Sequence, residues 1–260
     1  MTEANHQELI LDQFTRQATV FSTAPSITDE RALEMIVEAV RPGPEDTVLD
    51  VACGPGLVVC AFAPHVQHAT GIDVTPAMLE RARKLAAERG LSNVFWRQGD
   101  VYSLPFADGS FSIVTTRFSF HHFLDPAAVL REMVRVCAPQ GCIVVVDDYA
   151  SDDPTKAAEF NRLEKLRDPS HVRCLTLSEL QGLFPAAGLP EPRASFYDLR
   201  STVRSLLARS FPNQGDDVKI VEMFRASATD DRLGVPVQID GDDIHFAYPV
   251  TILAAQRPAR

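Results

Sequence analysis

Short apolar runs alternate with amphipathic stretches along the first 150 residues. Runs of aliphatic, β-branched and aromatic residues predict strands at 47–51, 68–73, 94–98, 111–116 and 142–146. Apolar residues at helical spacing predict the helices between them, at 57–63, 76–89 and 126–136. The repeated order of strand, helix and strand is typical of a doubly wound parallel sheet with helices on both faces. The predicted fold class is therefore α/β.

The N-terminal residues precede this repeat and are helical in pattern. Apolar residues at helical spacing predict two helices within residues 7–40, and Ser26 and Thr28 are candidate caps for the second. The sequence Arg41-Pro42-Gly43-Pro44 breaks the helix and leads into the first strand. We expect residues 1–44 to form a helical lid on the repeat.

The second half departs from the repeat. A charged helix through about Leu166 and the segment RDPSHVRCL lead to a helix that starts near Thr176. We expect a sixth strand near 194–197 and a last, antiparallel strand over 244–256, which gives a seven-stranded, mostly parallel sheet. The two helical stretches of the intervening insertion are predicted at 201–209 and 216–228. An insertion of roughly 45 residues in a compact domain is usually a lid or an interface.

Length and charge narrow the possible functions. The 260 residues suit one large domain, and a net charge of −10 without a basic cluster argues against nucleic acid as a partner. No apolar run is long enough for a membrane span, and the polar first 25 residues do not resemble a secretory signal, so we expect a cytoplasmic protein. The five cysteines lack metal-binding spacing, so we predict buried thiols and no metal site.

One glycine-rich turn carries the strongest functional signal. The stretch TVLDVACGPG, residues 47–56, is a strand that ends in a tight turn before a helix. It is not the dinucleotide fingerprint, because Val59 stands where a third glycine is needed. It resembles the first motif of class I S-adenosylmethionine-dependent methyltransferases, D-x-G-x-G-x-G. Asp50, Gly54 and Gly56 match that motif, and Ala52 replaces its first glycine.

The resemblance continues at three further places: Asp73, the pair Asp100 and Val101, and the stretch that leads into the fourth strand. Asp73 ends the second strand 23 residues after Asp50, close to the roughly 20 residues at which an acid meets ribose hydroxyls in doubly wound folds. It could instead serve only as an N-terminal acid of the next helix. The string GDVYSLPFADGSFSIV resembles the UbiE-like, or type 11, branch of the family, which includes quinone-biosynthesis methyltransferases.

This resemblance implies S-adenosylmethionine as the cofactor, held within residues 45–150. The cofactor-binding residues that it implies are Asp50, Ala52, Gly54, Gly56, Asp73, Val74, Met78, Asp100, Val101 and Arg117. It also implies that the N-terminal segment covers the cofactor, with Gln13, Phe14, Gln17 and Phe21 in contact, although the two phenylalanines could simply pack in the core.

Three histidines are candidates for the chemistry. His121 and His122 follow the fourth strand, where the methyl group and its acceptor are expected to meet, and His171 lies in the RDPSHVRCL segment. An imidazole titrates near neutral pH and could remove a proton from a hydroxyl group. The paired histidines could also pack beneath the cofactor or order the loop, and the charged residues around Glu164 could be only a solvated helix face.

The predicted function is methyl transfer to a small-molecule acceptor through an O-, N- or C-nucleophile. The segments 151–175 and 199–240 are expected on the acceptor side, where residues such as Phe211 and Phe224 could line a pocket or a homodimer contact. Two alternatives remain open: a biosynthetic cyclase that binds the cofactor without transferring its methyl group, and a noncatalytic binding protein.

Overall fold

The computed structural model describes residues 3–259 and has one mixed sheet of eight strands with helices on both faces. The strands are β1 Thr47–Val51, β2 His68–Asp73, β3 Val94–Gln98, β4 Phe111–Arg117, β5 Cys137–Asp148, β6 Arg193–Thr202, β7 Val237–Asp240 and β8 Asp243–Gln256. The α-helices are α1 Glu3–Phe21, α2 Glu30–Val40, α3 Leu57–Phe62, α4 Pro76–Glu88, α5 Pro126–Val136, α6 Pro154–Arg167, α7 Leu177–Ala186, α8 Val203–Ala208 and α9 Asp216–Asp230. Short 3₁₀ turns lie at Ala63–His65 and Phe120–His122.

The sheet confirms the predicted doubly wound α/β class. Its strand order is β3-β2-β1-β4-β5-β8-β6, and β1 to β5 pair in parallel. Strand β8 runs antiparallel to both β5 and β6. The chain leaves β1 toward β2 on one side and later returns to β4 on the other, so the winding reverses beside β1. Ligands of open α/β sheets bind at the carboxyl end of the strands at such a reversal.

Both faces of the central strands are buried, which explains their apolar sequences. Successive side chains of a strand point to opposite faces. Val48 packs on one face with Ile36 and Phe62, whereas its neighbour Leu49 packs on the other with Leu130. Because both faces of β1 pack against apolar residues, the strand lies at the centre of the molecule.

The sheet has one more strand than predicted. The four residues Val237–Asp240 pair with the start of β8, on the edge that β5 leaves free. Strand β6 continues to Thr202, well beyond the predicted 194–197, because it pairs with β8 over its full length. The four residues of β7 are exposed or half-buried and include only one valine and one isoleucine, so their sequence gives little indication of a strand. Only the pairing with β8 defines β7.

Two local boundaries also differ from the prediction. Strand β5 starts at Cys137, directly after α5 and five residues before the predicted strand at 142–146, and it passes through Pro139-Gln140-Gly141 with a shift in its pairing to β4. The N-cap of α2 is Asp29, whose carboxylate accepts hydrogen bonds from the backbone N–H groups of Arg31 and Ala32. Neither Ser26 nor Thr28 caps the helix, although each is of a suitable residue type.

The insertion between β6 and β8 contributes to the core. Ile220, Met223 and Phe224 of α9 are buried, and the ring of Phe224 lies 4.9 Å from that of Phe246. Phe211, in contrast, lies under the guanidinium of Arg16 from α1. In the described residues all five cysteines are free thiols, four of them buried, and no helix is long and apolar enough to cross a membrane.

Candidate functional site

The turn between β1 and α3 combines three residues with positive φ. Ala52 has a φ of 55°, Gly54 of 50° and Gly56 of 81°. A side chain on Gly56 would meet Trp96 at 2.4 Å, whereas a side chain on Gly54 would have no atom of the protein within 4 Å. Gly56 therefore allows the helix to pack against the sheet, and Gly54 leaves its open side to a ligand.

The turn forms one wall of a cleft at the carboxyl edge of the sheet, which we call the central cleft. It has about 1170 Å³ of space between atoms, part of which is open to solvent, and it is lined by residues of the N-terminal helix and of the loops after β1, β2, β3 and β4. Nine of the ten residues predicted to bind the cofactor line it: Asp50, Ala52, Gly54, Asp73, Val74, Met78, Asp100, Val101 and Arg117. The tenth, Gly56, lies behind the turn against Trp96 and Ala82.

The carboxylate of Asp73 is held in place by the loops that follow β1 and β2. It accepts a hydrogen bond of 2.8 Å from the backbone N–H of Gly54 and another of 2.8 Å from that of Thr75. Burial raises the pKa of Asp73, and these bonds oppose that effect. Each carboxylate oxygen keeps acceptor capacity, so the group can receive further donors from a ligand in the cleft.

Two buried charged groups in the cleft have side-chain atoms without a hydrogen-bond partner among the described residues, although Nη1 of Arg117 donates to the backbone carbonyl of Ile27 at 2.9 Å. Oδ1 of Asp50 has no donor, and Nε and Nη2 of Arg117 have no acceptor, although both residues are more than nine-tenths buried. Burial and the nearby Asp73 carboxylate raise the pKa of Asp50 well above its usual value. Buried charges left unpaired are costly, and their clustering in a cleft marks a ligand site. An ammonium and a carboxylate on one ligand would satisfy both residues.

The far end of the cleft is built from β3 and α4. Asp100 is exposed, and its carboxylate accepts a hydrogen bond of 2.9 Å from the backbone N–H of Tyr102. Met78 is buried on the first turn of α4 and faces the same space. An apolar wall beside an acceptor carboxylate suits a flat heterocycle that carries an amino group.

Helix α1 covers the cleft from above. Its side chains Ile10, Phe14 and Phe21 line the cleft, and Gln17 donates a hydrogen bond of 2.9 Å to Asp168. His6 lies 2.8 Å from the backbone carbonyl of His122. Gln13 is directed toward the backbone carbonyl of Phe211 at 3.5 Å. The helix is thus fixed to the body by polar contacts as well as by its apolar face.

A second space, which we call the inner cavity, adjoins the central cleft. It shares five lining residues with the cleft: Phe14, Phe21, Ile27, Phe118 and His122. Its other lining residues are mostly polar or charged: Gln17, His121, Asp148, Glu164, Arg167, Asp168, Leu199, Leu206, Arg209 and Tyr248. The shared residues form the boundary where two bound molecules would meet.

Glu164 contradicts the simple view of α6 as a solvated face. It is 2% exposed, receives two hydrogen bonds from Arg167 at 2.8 and 2.6 Å, and accepts another of 2.7 Å from the hydroxyl of Tyr248. The prediction from charge alone fails here because β8 packs against this side of α6 and removes it from water.

His121 is bound by two carboxylates. Its Nδ1 lies 2.7 Å from Asp147 and 3.2 Å from Asp148, and its backbone N–H donates to Asp147 at 3.0 Å. Burial by itself lowers the pKa of His121, but the two carboxylates outweigh burial and raise the pKa well above the ordinary value. His121 is therefore protonated at neutral pH and has no free lone pair with which to accept a proton.

The pKa of His122 is shifted in the opposite direction. Burial and the charge of His121, whose ring centroid is 4.4 Å away, lower the pKa of His122 to about 3. Its Nδ1 lies 3.2 Å from the backbone carbonyl of Ser170, which assigns the proton to Nδ1. Nε2 is then an acceptor at the boundary of the two spaces. A neutral imidazole with this pKa is a weak base but a suitable hydrogen-bond acceptor.

His171 lines neither the central cleft nor the inner cavity. It is fully buried behind the other two histidines, and its Nε2 lies 2.9 Å from the side-chain oxygen of Asn161. His171, one of the three candidates for the chemistry, therefore lies apart from both spaces. Its loop instead offers Asp168 and Ser170, which contact Gln17 and His122.

The fold also brings together His121, Asp148 and Cys174, whose ligand atoms all lie within 4.8 Å of one another. Cysteine spacing could not reveal this cluster, since the three residues come from three segments. The thiol of Cys174 donates to Asp148 at 3.0 Å, and His121 is bound by both carboxylates. The three groups therefore already pair with one another. The absence of a metal site stays a prediction from the sequence.

Sequence reasoning missed several residues of the inner cavity. Asp168, Arg209 and Tyr248 come from the ends of α6, α8 and from β8, far apart in the chain. Arg209 gave no distinct signal in the sequence, because Arg204 lies in the same helical stretch of the insertion.

Comparison with known proteins finds relatives among methyltransferases. A family model described as a methyltransferase domain matches residues 49–145. An uncharacterized methyltransferase of Bacillus subtilis, YcgJ, is 39% identical over 173 residues, which are 66% of this chain and 68% of that protein. The crystal structure of YcgJ matches with a TM-score of 0.81 and 32% identity, covering 88% of this chain and 98% of YcgJ.

Two further proteins are similar over less sequence or at lower identity. A demethylmenaquinone methyltransferase of Thermus thermophilus is 41% identical over 103 residues, which are 38% of this chain and 46% of that enzyme. Geranyl diphosphate methyltransferase, solved in complex with SAM, has a TM-score of 0.64 at 20% identity, covering 88% of this chain and 85% of that one. At that identity the likeness concerns the fold alone.

Proposed function

Because this chain belongs to the class I S-adenosylmethionine-dependent methyltransferases, we propose that it binds S-adenosylmethionine in the central cleft and methylates a small molecule held in the inner cavity. Residues 45–150 then form the cofactor-binding core and residues 1–44 the lid. The segments 151–175 and 199–240 supply the acceptor side, through residues such as Arg167 and Arg209.

The observation that carries this proposal is the pair of unpartnered charges in the cleft. The cofactor's ammonium group would pair with the unpartnered oxygen of Asp50, and its carboxylate with the unpartnered nitrogens of Arg117. Asp73, oriented by two backbone amides, accepts from the ribose hydroxyls, and Asp100 accepts from the adenine amino group. Geranyl diphosphate methyltransferase, which shares this fold, was solved with SAM bound.

The cofactor supplies a methyl group on a positively charged sulfur. Transfer would break the bond between carbon and sulfur, with its electron pair staying on sulfur, and would form a bond to the acceptor, whose O–H or N–H proton would be released to water. The protein must align the acceptor with that bond and exclude water. His122 lies at the boundary of the two spaces, and its Nε2 would accept a hydrogen bond from an acceptor O–H or N–H and orient the nucleophile.

Calorimetric titration with S-adenosylmethionine and S-adenosylhomocysteine tests the cofactor site. We expect micromolar binding by the unchanged protein and at least a tenfold weaker Kd for Asp50→Asn and for Asp73→Asn, since each change removes a charged acceptor, a loss of about 1.4 kcal/mol or more. Asp108→Asn, on the exposed loop before β4, is the control. Equal binding by all four proteins, or none by the unchanged one, would refute the proposed site.

Product analysis separates methyl transfer from the alternative of a cyclase. A methyltransferase releases one S-adenosylhomocysteine for each acceptor consumed, and the acceptor gains the mass of a CH₂ group. A cyclase or rearrangement enzyme consumes its substrate with no change in the amount of S-adenosylmethionine.

A further inference from the structure

Arg209 is a buried cation without a charged partner. It follows α8, is 7% exposed and lines the inner cavity. Its Nη1 donates to the hydroxyls of Ser26 at 3.2 Å and Ser201 at 3.4 Å, and both of these partners are neutral. No carboxylate of the described chain lies within ion-pair distance of the guanidinium.

The remaining nitrogens of Arg209 face open space. Nε and Nη2 make no hydrogen bond to the described residues, yet the protein does not enclose them as it encloses the unpartnered nitrogens of Arg117. Arg209 is otherwise buried and lines the inner cavity. Two donors of one planar guanidinium are therefore available to a ligand in the space proposed for the acceptor.

Arg167, in the same cavity, shows the ordinary arrangement. It donates twice to Glu164, and that carboxylate also receives the Tyr248 hydroxyl. Burial and the charge of Arg167 lower the pKa of Arg209 to about 10, so Arg209 stays charged at neutral pH although its surroundings disfavour the charge. Such a cation is expensive to keep without a role in binding.

The other groups of the cavity define what can sit beside Arg209. Asp168 already accepts from Gln17 and Ser170, and Asp148 is bound to His121. The acidic groups are thus occupied, and their negative charge disfavours a doubly charged ligand such as a phosphate. The remaining wall is apolar, formed by Phe14, Phe21, Ile27, Phe118, Leu199 and Leu206.

We propose that Arg209 binds a carboxylate of the methyl acceptor, so that the acceptor is an apolar molecule bearing a single carboxylate at the end remote from the nucleophile. The guanidinium and a carboxylate form two parallel hydrogen bonds, which fix orientation as well as position. The nucleophilic end then lies toward His122, where the inner cavity meets the central cleft. This inference rests on the proposed function and specifies its substrate class.

Binding of matched probes to the protein loaded with S-adenosylhomocysteine tests the proposal. The probes are 4-hydroxybenzoate and the longer 4-hydroxycinnamate, each compared by calorimetry with its primary amide, which has the same shape without the charge. We expect at least one acid to bind tenfold or more tightly than its amide. Arg209→Met should abolish that preference, whereas Arg204→Met, which removes an exposed arginine of α8, should keep it.

Equal affinity of acids and amides, no binding of either acid, or a preference that survives Arg209→Met would overturn the assignment. Each of these results leaves the binding of S-adenosylhomocysteine intact, so the proposed function stands. Failure of the unchanged protein to bind S-adenosylhomocysteine overturns the proposed function instead.

The thermal unfolding of the ligand-free protein gives a readout that does not depend on the chosen probes. Arg209→Met removes a buried charge and leaves no partner charge behind, so its unfolding midpoint should equal or exceed that of the unchanged protein. Arg167→Met leaves Glu164 unpaired and should lower the midpoint. A drop for Arg209→Met as large as that for Arg167→Met would show that Arg209 is structural and would refute the proposal.

Discussion

At the scale of single residues, the site combines positions that are unfavourable for folding. Asp50 and Arg117 keep buried atoms without partners, and Ala52 and Phe118 adopt positive φ without being glycine. Strain and unpaired charge of this kind persist where the rest of the fold imposes them, and they concentrate at functional sites. We therefore expect substitutions of such residues to affect the stability of the protein and its function differently.

Ala52→Gly should stabilise the protein. A left-handed conformation costs a residue with a Cβ about 1–2 kcal/mol, and part of this gain is lost to the greater chain entropy of glycine when unfolded. We expect the free energy of unfolding in chemical denaturation to rise by about 0.5–1 kcal/mol. Ala158→Gly, at an exposed position within α6, should instead lower it by about 1 kcal/mol. A loss of stability in Ala52→Gly would contradict the strained conformation.

His171→Gln should change how stability depends on pH. Burial and the neighbouring histidines lower the pKa of His171 well below its ordinary value, so below pH 6.5 the unfolded chain binds a proton that the folded chain does not. The stability that His171 contributes is full above pH 6.5 and is lost as the pH falls. Between pH 7.5 and 5 the unchanged protein should lose about 2 kcal/mol relative to the variant. Glutamine preserves a donor to Asn161.

Denaturant unfolding at several pH values measures this difference. Parallel curves for the two proteins across pH 5 to 7.5 would mean that His171 takes up its proton in the folded state.

At the scale of elements, the sheet and the lid have separate tasks. The parallel strands β1 to β5 place the loops of the central cleft, whereas α1 closes the cleft and touches the inner cavity. The buried face of α1 includes Gln13 and Gln17, whose amides bond to the backbone of Phe211 and to Asp168. A purely structural helix would more commonly bury apolar residues at those positions.

Removal of residues 1–22 should leave the sheet folded and weaken cofactor binding. Helix α1 is not part of the sheet, but its side chains Ile10, Phe14 and Phe21 form part of the cleft wall. Burial of even one such side chain against a ligand contributes about 1.5 kcal/mol or more to binding. We expect Kd for S-adenosylhomocysteine to rise by at least about tenfold in calorimetry. Far-ultraviolet circular dichroism should retain the strand signal.

Asp12→Ala is a suitable control for that truncation, because Asp12 lies on the exposed side of α1 and its ion pair with Arg16 is at the surface. It should bind as the unchanged protein does. A truncated protein that remains folded and keeps full affinity would show that α1 does not cover the cofactor.

At the scale of the whole molecule, the site is a meeting point of distant segments. The central cleft uses the loops after four successive strands together with α1, and the inner cavity adds α6, α8 and β8. Two ligands can therefore lie end to end across the carboxyl edge of the sheet, with His122 and Phe118 between them. The arrangement suits a transfer reaction in which donor and acceptor must be enclosed together.

The sequence by itself determined the doubly wound core and the family. The signals there are local: buried strands with their characteristic length, a glycine turn that only a few residue types can form, and acids at the ends of consecutive strands. Asp50 is the last residue but one of β1, Asp73 ends β2 and Asp100 follows β3, so the parallel order of the sheet brings them to one edge whatever the details of packing.

Only the tertiary structure decided the acceptor side. Whether a charged residue such as Glu164 or Arg209 faces water or a cavity depends on which element packs over it, and those elements, β8 and α1, are far away in sequence. The same holds for the histidines, since His121 and His122 are adjacent and identical in type. Their pKa values shift in opposite directions because Asp147 and Asp148 outweigh burial and raise the pKa of His121, whereas burial and the charge of His121 lower the pKa of His122 to about 3.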